Sequence, residues 1–202
     1  MARRSTTATL LGTLLLGFAG AYVASRESGE SSPSGTSERT VNERTDALET
    51  TGTVTRIADG DTLTLRTPAG TSERVRLLGI DAPELSTTRT GYEQCGGRQA
   101  RDALAALAPI GTQLQLERDR SQDARDRFGR RLAYVWVTSQ SGETQMLQRQ
   151  LLRAGWVRVY VYDRDAPFTQ VGNFRRDAAQ ARAAGHGVWQ RCGGDFGRPQ
   201  AG

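Results

Sequence analysis

The sequence predicts an α+β domain: a small five-stranded, OB-like β-barrel with about three helices packed against it. Two observations lead there. Five short runs rich in Val, Ile, Leu and Thr are separated by turn residues, and three longer segments carry apolar residues at helical spacing. The 202-residue length leaves room for one domain of ordinary size plus a leading stretch of different composition. Periodicity alone does not choose this barrel over another α+β arrangement of the same elements.

Residues 52–57 and 62–66 are β-prone runs joined by Ala58-Asp59-Gly60-Asp61, which reads as a hairpin turn because Asp and Gly suit tight-turn backbone. After a Pro68-Ala69-Gly70 turn, residues 74–78 make a third strand. A loop through Pro83 to Gly97 follows. Residues 98–108 then place alanines and leucines at helical spacing until Pro109 stops them. Residues 113–117 and 133–138 alternate like strands, with an arginine-rich loop, 118–131, between them. Residues 144–154 read as a helix closed by Gly155, 157–162 as extended, and 169–184 as the last helix, ending at Gly185. Trp136, Trp156 and Trp189 are assigned to the core.

Ahead of the domain, a basic start at Arg3 and Arg4 precedes a nearly unbroken apolar or small-residue run, 6–23. Within it, Ala19-Gly20-Ala21 has the form of a signal-peptidase site. Residues 1–24 are read as a signal peptide, with an uncleaved anchor in the membrane as the alternative. Residues 25–50 are dominated by Ser, Thr, Glu, Arg and Gly and bury too little to offset ordering, so they read as a disordered polar linker. The folded domain is placed at 51–192 and a flexible tail at 193–202. This export signal implies an extracellular protein, secreted or tethered to the outer face of the membrane.

The chain carries a formal net charge of +5. From Thr51 onward 22 arginines face 16 acidic residues, which suits a polyanionic partner. Every basic residue is arginine, so no lysine nucleophile exists. Two cysteines in an exported chain favour a Cys95–Cys192 disulfide over a metal site, with two free thiols as the alternative.

Many ester-cutting chemistries are excluded by what is missing. His186 is the only histidine and, between Gly185 and Gly187, reads as a helix cap. There is no G-x-S-x-G string, P-loop or dinucleotide fingerprint. Carboxylates and arginines remain. DGDT at 59–62 and RLLGIDAPE at 76–84 bring Asp61, Asp81, Glu84 and Arg76 within about one hairpin, and DRFGRRLAY at 126–134 adds Arg130. Carboxylate oxygens suit Ca²⁺ or Mg²⁺, and a guanidinium fork matches a phosphate. Alone, Asp-Gly and Asp-Ala-Pro are ordinary turn and loop starters. Arg76 says more, because a guanidinium beside Leu77 and Leu78 is costly to bury unless an anion pairs with it.

In that order, DGDT, RLLGIDAPE, DRFGRRLAY and the VYVY of 159–162 resemble the staphylococcal (thermonuclease) nuclease family over about residues 51–190. The resemblance implies that Asp61 and Asp81 are Ca²⁺ ligands, joined by the main-chain carbonyl of Ala82, where many relatives carry Thr. It implies that Glu84 is the general base toward the attacking water and that Arg76 and Arg130 grip the phosphate. Tyr160, Tyr162 and Arg127 would bind the substrate, while Asp59 and Thr62 would stand beside the ligands without holding the ion. Phe128 occupies a position where tyrosine is frequent, so a hydroxyl contact to a terminal phosphate is absent.

The implied activity is a monomeric, calcium-dependent nuclease that hydrolyses DNA and RNA with little sequence specificity and leaves 3′-phosphate ends. The alternative is a non-catalytic OB-like module that holds single-stranded nucleic acid; it would be free to lose the five key residues, all of which are present. Arg118, Arg120, Arg125, Arg127 and Arg131 either track a phosphate backbone together with Arg130 or form a solvated loop paired with Asp119, Asp123 and Asp126.

Overall fold

The computed structural model describes residues 48–85, 90–139 and 141–201. The expected signal peptide and nearly all of the expected linker lie outside the described residues. Strands β1 (Leu48–Asp59), β2 (Thr62–Arg66) and β3 (Ser72–Leu77) form an antiparallel meander. Strand β5 (Gln113–Glu117) pairs with the other edge of β1, and β6 (Arg131–Thr138) pairs with β5. A parallel pairing of β6 with β3, from Val75↔Arg131 to Leu77↔Ala133, closes these five strands into the expected barrel. Closure leaves the strands few open edges.

Two short strands, β4 (Ile80–Asp81) and β8 (Arg158–Val159), form a separate ribbon. Among the described residues the named helices are α1 (Gly97–Leu107), α2 (Leu147–Arg153), α3 (Val171–Ala183) and a four-residue α4 (Val188–Arg191) that sequence periodicity did not suggest. Alternate residues of the barrel strands, among them Leu63, Leu65, Val75, Leu77, Leu114 and Leu116, point inward. They form one core with Leu104 of α1, Leu147 and Leu151 of α2 and Phe174 of α3. Each such side chain contributes about 1.5–3 kcal/mol on burial.

Several boundaries differ from the sequence reading. Strand β1 begins at Leu48, inside the expected linker, because Thr50 and Thr51 still pair with Leu116 and Gln115. Residues 144–146, expected to open a helix, are instead a strand, β7 (Thr144–Met146), paired with the end of β6. Helix α3 starts at Val171 rather than 169, since the backbone and hydroxyl of Thr169 are both committed to Asp119, at 2.7 and 2.9 Å. The three tryptophans are only partly buried.

The C-terminal segment, expected as a flexible tail, packs on the domain through residues 193–201. Cys95 N–H donates to the Arg198 carbonyl and Gln200 N–H to that of Glu93, while Phe196 is buried against Trp189. A disulfide joins Cys95, just before α1, to Cys192, just after α4.

Gly60 fixes how the first hairpin meets α1. A Cβ there would lie 2.6 Å from Cβ of Ala100 and 2.8 Å from Cβ of Ala82. The glycine is needed for close approach more than for turn conformation, and that approach draws the β1–β2 turn against the segment after β4.

Candidate active site

Asp61 closes the β1–β2 turn and is almost wholly buried. Its amide donates to Asp59 Oδ1 at 3.1 Å. Its own carboxylate accepts from the Thr62 hydroxyl at 2.9 Å on Oδ1 and from the Ala82 amide at 2.9 Å on Oδ2. The second bond ties residues 21 positions apart. It depends on the Gly60 contact just described.

Arg76 sits on β3 directly across from Thr62. Its guanidinium pairs with Asp61 through Nη1, while Nη2 donates to Asp81 Oδ1 at 2.9 Å and to the Ile80 carbonyl at 3.2 Å. The side chain is only 13% exposed. Burial pulls its pKa below the ordinary arginine value, and the charge of Asp81 opposes that. The anion demanded by an arginine in an apolar strand is therefore present twice over. Asp59, by contrast, is pushed above the ordinary carboxylate value by burial, with Arg76 acting against the shift.

Asp81 has a second arginine that sequence reasoning missed. Arg158 faces it across the β4–β8 ribbon and grips Oδ2 with a fork, Nε at 3.0 Å and Nη2 at 2.8 Å. The available signal was the one that singled out Arg76: an arginine between Val157 and Val159 in an apolar run.

Arg130 is oriented by its own loop. Asp126 accepts from its Nε at 2.7 Å and from its amide at 3.0 Å, and also from the Phe128 amide at 2.9 Å. Burial alone would raise Asp126, but these bonds outweigh it and hold the carboxyl below its ordinary value. Arg130 Nη1 then reaches the Thr62 hydroxyl at 3.4 Å. One hydrogen-bonded chain thus runs from Arg130 through Thr62 and Asp61 to Arg76, Asp81 and Arg158.

Glu84 lies two residues past Ala82 on a loop pinned at both backbone groups. Its amide donates to Gln94 Oε1 at 2.7 Å, and its carbonyl accepts from the Gln94 amide at 2.8 Å. Gly97 lets the first turn of α1 lie on this loop, since a Cβ there would be 3.1 Å from the Glu84 carbonyl oxygen.

The expected substrate-binding residues stand farther out. The amide of Tyr160 is held by the Gly79 carbonyl at 3.0 Å with its ring half-exposed, and Tyr162 is 85% exposed. The Arg127 guanidinium lies over the exposed Phe128 ring at 4.8 Å, and that of Arg130 at 5.4 Å.

Two sequence readings of the arginine loop change. Arg125 pairs outside the loop, with Glu73 at 2.7 Å. Asp119 is not an arginine partner: it is buried and accepts from the Tyr134 hydroxyl at 2.6 Å, from Thr169 and from Ser121. His186 is structural as expected, its Nδ1 3.0 Å from the Arg153 carbonyl at the end of α2.

The donor set fits a hard divalent cation. Asp61 Oδ1 and Asp81 Oδ1 already converge on a single cationic group, Arg76, and the chain next to Asp81 supplies a main-chain carbonyl at Ala82. Ca²⁺ takes six to eight such oxygens, so water and substrate would supply the remainder. Among the described residues no three His, Cys, Asp or Glu side chains gather as a metal site by themselves.

Residues 74–191, more than half of the chain, match the family described as Staphylococcal nuclease homologue. The chain belongs to this family. The stretch matched to the Staphylococcal nuclease homologue family contains Arg76, Asp81, Ala82, Glu84, Arg130, Arg158, Tyr160 and Tyr162, whereas Asp59 to Thr62 precede it. Among its relatives, the SPbeta prophage-derived endonuclease YokF of Bacillus subtilis is 34% identical over 142 residues, 70% of this chain and 44% of that protein. Endonuclease YncB of the same organism is 34% identical over 142 residues, 70% of this chain and 62% of its own length. The thermonuclease of Staphylococcus intermedius is 34% identical over 101 residues, 50% of this chain and 57% of that protein. The match thus spans about half the length of these relatives.

Proposed function

We propose that this protein is a calcium-dependent nuclease, exported from the cell, that hydrolyses phosphodiester bonds of DNA and RNA with little sequence specificity and leaves 3′-phosphate ends. The observation that carries this reading is the single hydrogen-bonded network linking two guanidiniums, Arg76 and Arg130, to two carboxylates, Asp61 and Asp81. Relatives named endonuclease and thermonuclease support the same reaction class.

The chemistry follows from the charges. A phosphodiester is already negative, and attack on phosphorus adds charge to the equatorial oxygens. Arg76 and Arg130 present fixed donors to those oxygens; preorganised electrostatics of this kind is usually the largest catalytic term. Asp126 holds Arg130 through its amide, Nε and Nη2 and leaves Nη1 to face inward toward Thr62. Bound Ca²⁺, held by Asp61, Asp81 and the Ala82 carbonyl, would add a Lewis acid beside the phosphate. Glu84 takes the proton of the attacking water. Arg130 hydrogen-bonds the departing 5′-oxygen but is too weak an acid to protonate it readily, so that oxygen takes its proton from solvent water. Tyr160, Tyr162 and Arg127 offer aromatic faces and charge, not base-edge readers, which accounts for weak sequence preference.

The test is incubation of the purified protein with end-labelled DNA and RNA in Ca²⁺, Mg²⁺ or chelator. Cleavage in Ca²⁺ with phosphatase-sensitive 3′ ends, and none in chelator, is the expected result. Binding without cutting under every condition would leave only the nucleic-acid-binding module. Glu84→Gln should lower turnover by about 10²–10⁴-fold while leaving the thermal melt in place.

A further inference from the structure

We propose that a cleft beside β8, next to the active site, is a second phosphate-binding subsite that holds the backbone of a single nucleic-acid strand away from the bond being cut. This rests on the nuclease reading above. The cleft, about 690 Å³, lies between the β8 segment and the early part of α3. Its wall carries three guanidiniums, those of Arg158, Arg164 and Arg175, together with Tyr160 and Pro167, and no carboxylate.

The three arginines are not equivalent. Arg158 is committed to Asp81, as Arg76 is to Asp61 and Asp81, Arg125 to Glu73 and Arg130 to Asp126. Arg164 and Arg175 have neither an ion pair nor a hydrogen bond among the described residues, although both are exposed and share one concavity. Asp163 and Asp165 flank Arg164 in sequence, but neither pairs with it among the described residues: the Asp165 amide donates to Asp163 Oδ1 at 2.9 Å, and neither side chain lines the cleft. Two like charges facing one hollow raise the local potential and favour an anion there.

Two further features point to a strand rather than a small ion. Tyr160, half-exposed, offers a ring against which a base or sugar can stack beside the charged groups. Arg158 lies in the cleft wall and also grips Asp81, so the hollow adjoins the site of Asp61, Arg76 and Arg130 through this one side chain. A strand held by Arg164 and Arg175 lies against the wall that Arg158 shares with Asp81. The consequence is selectivity for polymers: a strand long enough to reach this cleft binds more tightly than a dinucleotide.

The experiment measures fluorescence anisotropy of the full chain in chelator, over a range of salt, with a labelled single strand of about twelve nucleotides and with a labelled dinucleotide. In the Arg164→Gln/Arg175→Gln double variant, binding of the strand should weaken several-fold at low salt. The slope of log Kd against log salt should fall by about 1.4, at about 0.7 for each lost phosphate contact, while the dinucleotide Kd moves by less than about twofold. The charge-keeping Arg164→Lys/Arg175→Lys pair should restore the slope. If the native protein cuts the strand but the Gln variant binds it with unchanged Kd and slope, or weakens the dinucleotide equally, the subsite is overturned and the nuclease reading stands. A native protein that cuts the strand yet shows no salt-dependent binding of it overturns the subsite as well. A native protein that neither binds nor cuts any strand removes both.

Discussion

Asp81 is shared between two arginines, one on each carboxylate oxygen, and the two do different work. Arg76 is buried and bridges to Asp61; Arg158 is half-exposed, and among the described residues its guanidinium pairs with Asp81 alone. Arg76→Lys keeps the charge but cannot span both carboxylates and a phosphate, so turnover on labelled DNA should fall by about 10²–10³-fold. Turnover near the native value would remove Arg76 from the reaction. Arg158→Gln takes away a cation that competes for Asp81. At a separation of about 5 Å in water-like surroundings such a charge is worth about 1 kcal/mol, so Ca²⁺ affinity by titration calorimetry should tighten about fivefold. Weaker Ca²⁺ binding would mean that the fork serves to position Asp81 instead. Arg76 was legible because its setting made no sense without an anion. Arg158 had the same signature but lay outside every motif, and only the β4–β8 pairing brings it across from Asp81.

At the scale of elements, α2 and α3 are locked by one carboxylate. Asp177 on α3 is buried and accepts from Arg149 Nε at 2.6 Å and from Arg153 Nε at 2.9 Å, both on or at the end of α2. Losing one partner of a buried pair costs about 3–5 kcal/mol, and the half-exposed arginines reduce that, so Asp177→Asn should destabilise by about 2 kcal/mol in urea melts. The same groups set the acid limit. In Asp119, Asp126 and Asp177 burial acts upward, but hydrogen bonds, joined at Asp126 and Asp177 by arginine charge, prevail and hold each below the ordinary 3.8. A depressed carboxyl binds fewer protons folded than unfolded. Its stabilisation is therefore present above about pH 4 and is lost as pH falls through the folded values. Asp59, raised by burial, acts in the opposite sense but is one group against three. Stability should be nearly flat from neutral pH to about 5 and drop below 4, with a shallower drop in Asp177→Asn. Element types were mostly readable from periodicity. Misread ends, such as β7 and the start of α3, are places where a partner strand or Asp119 decides the backbone.

At the scale of the whole molecule, the barrel and its C-terminal segment are joined by contacts distant in sequence. The Cys95–Cys192 bond closes a loop with a sequence separation of 97. Loops near that size lose about 4–5 kcal/mol of unfolded-state entropy in chain models, and natural disulfides typically deliver about 2–4. Cys95→Ser/Cys192→Ser should lower unfolding free energy by about that amount in urea, and reductant should do the same to the native protein. An unchanged midpoint would show that the docked tail, with Phe196 against Trp189, holds by itself.

Residue chemistry and local period were decided by the sequence alone. Hard oxygen donors, phosphate-matching guanidiniums and the strand and helix runs depend only on side-chain type and spacing, so they could be read in a line of letters. Barrel closure through β3 and β6, the sharing of Asp81 between two arginines, the unpaired arginines of the β8 cleft and the docked tail were settled by tertiary structure. Each depends on groups that chain folding brings together across long sequence separations, and no local pattern encodes which distant partner a charge or strand edge will meet.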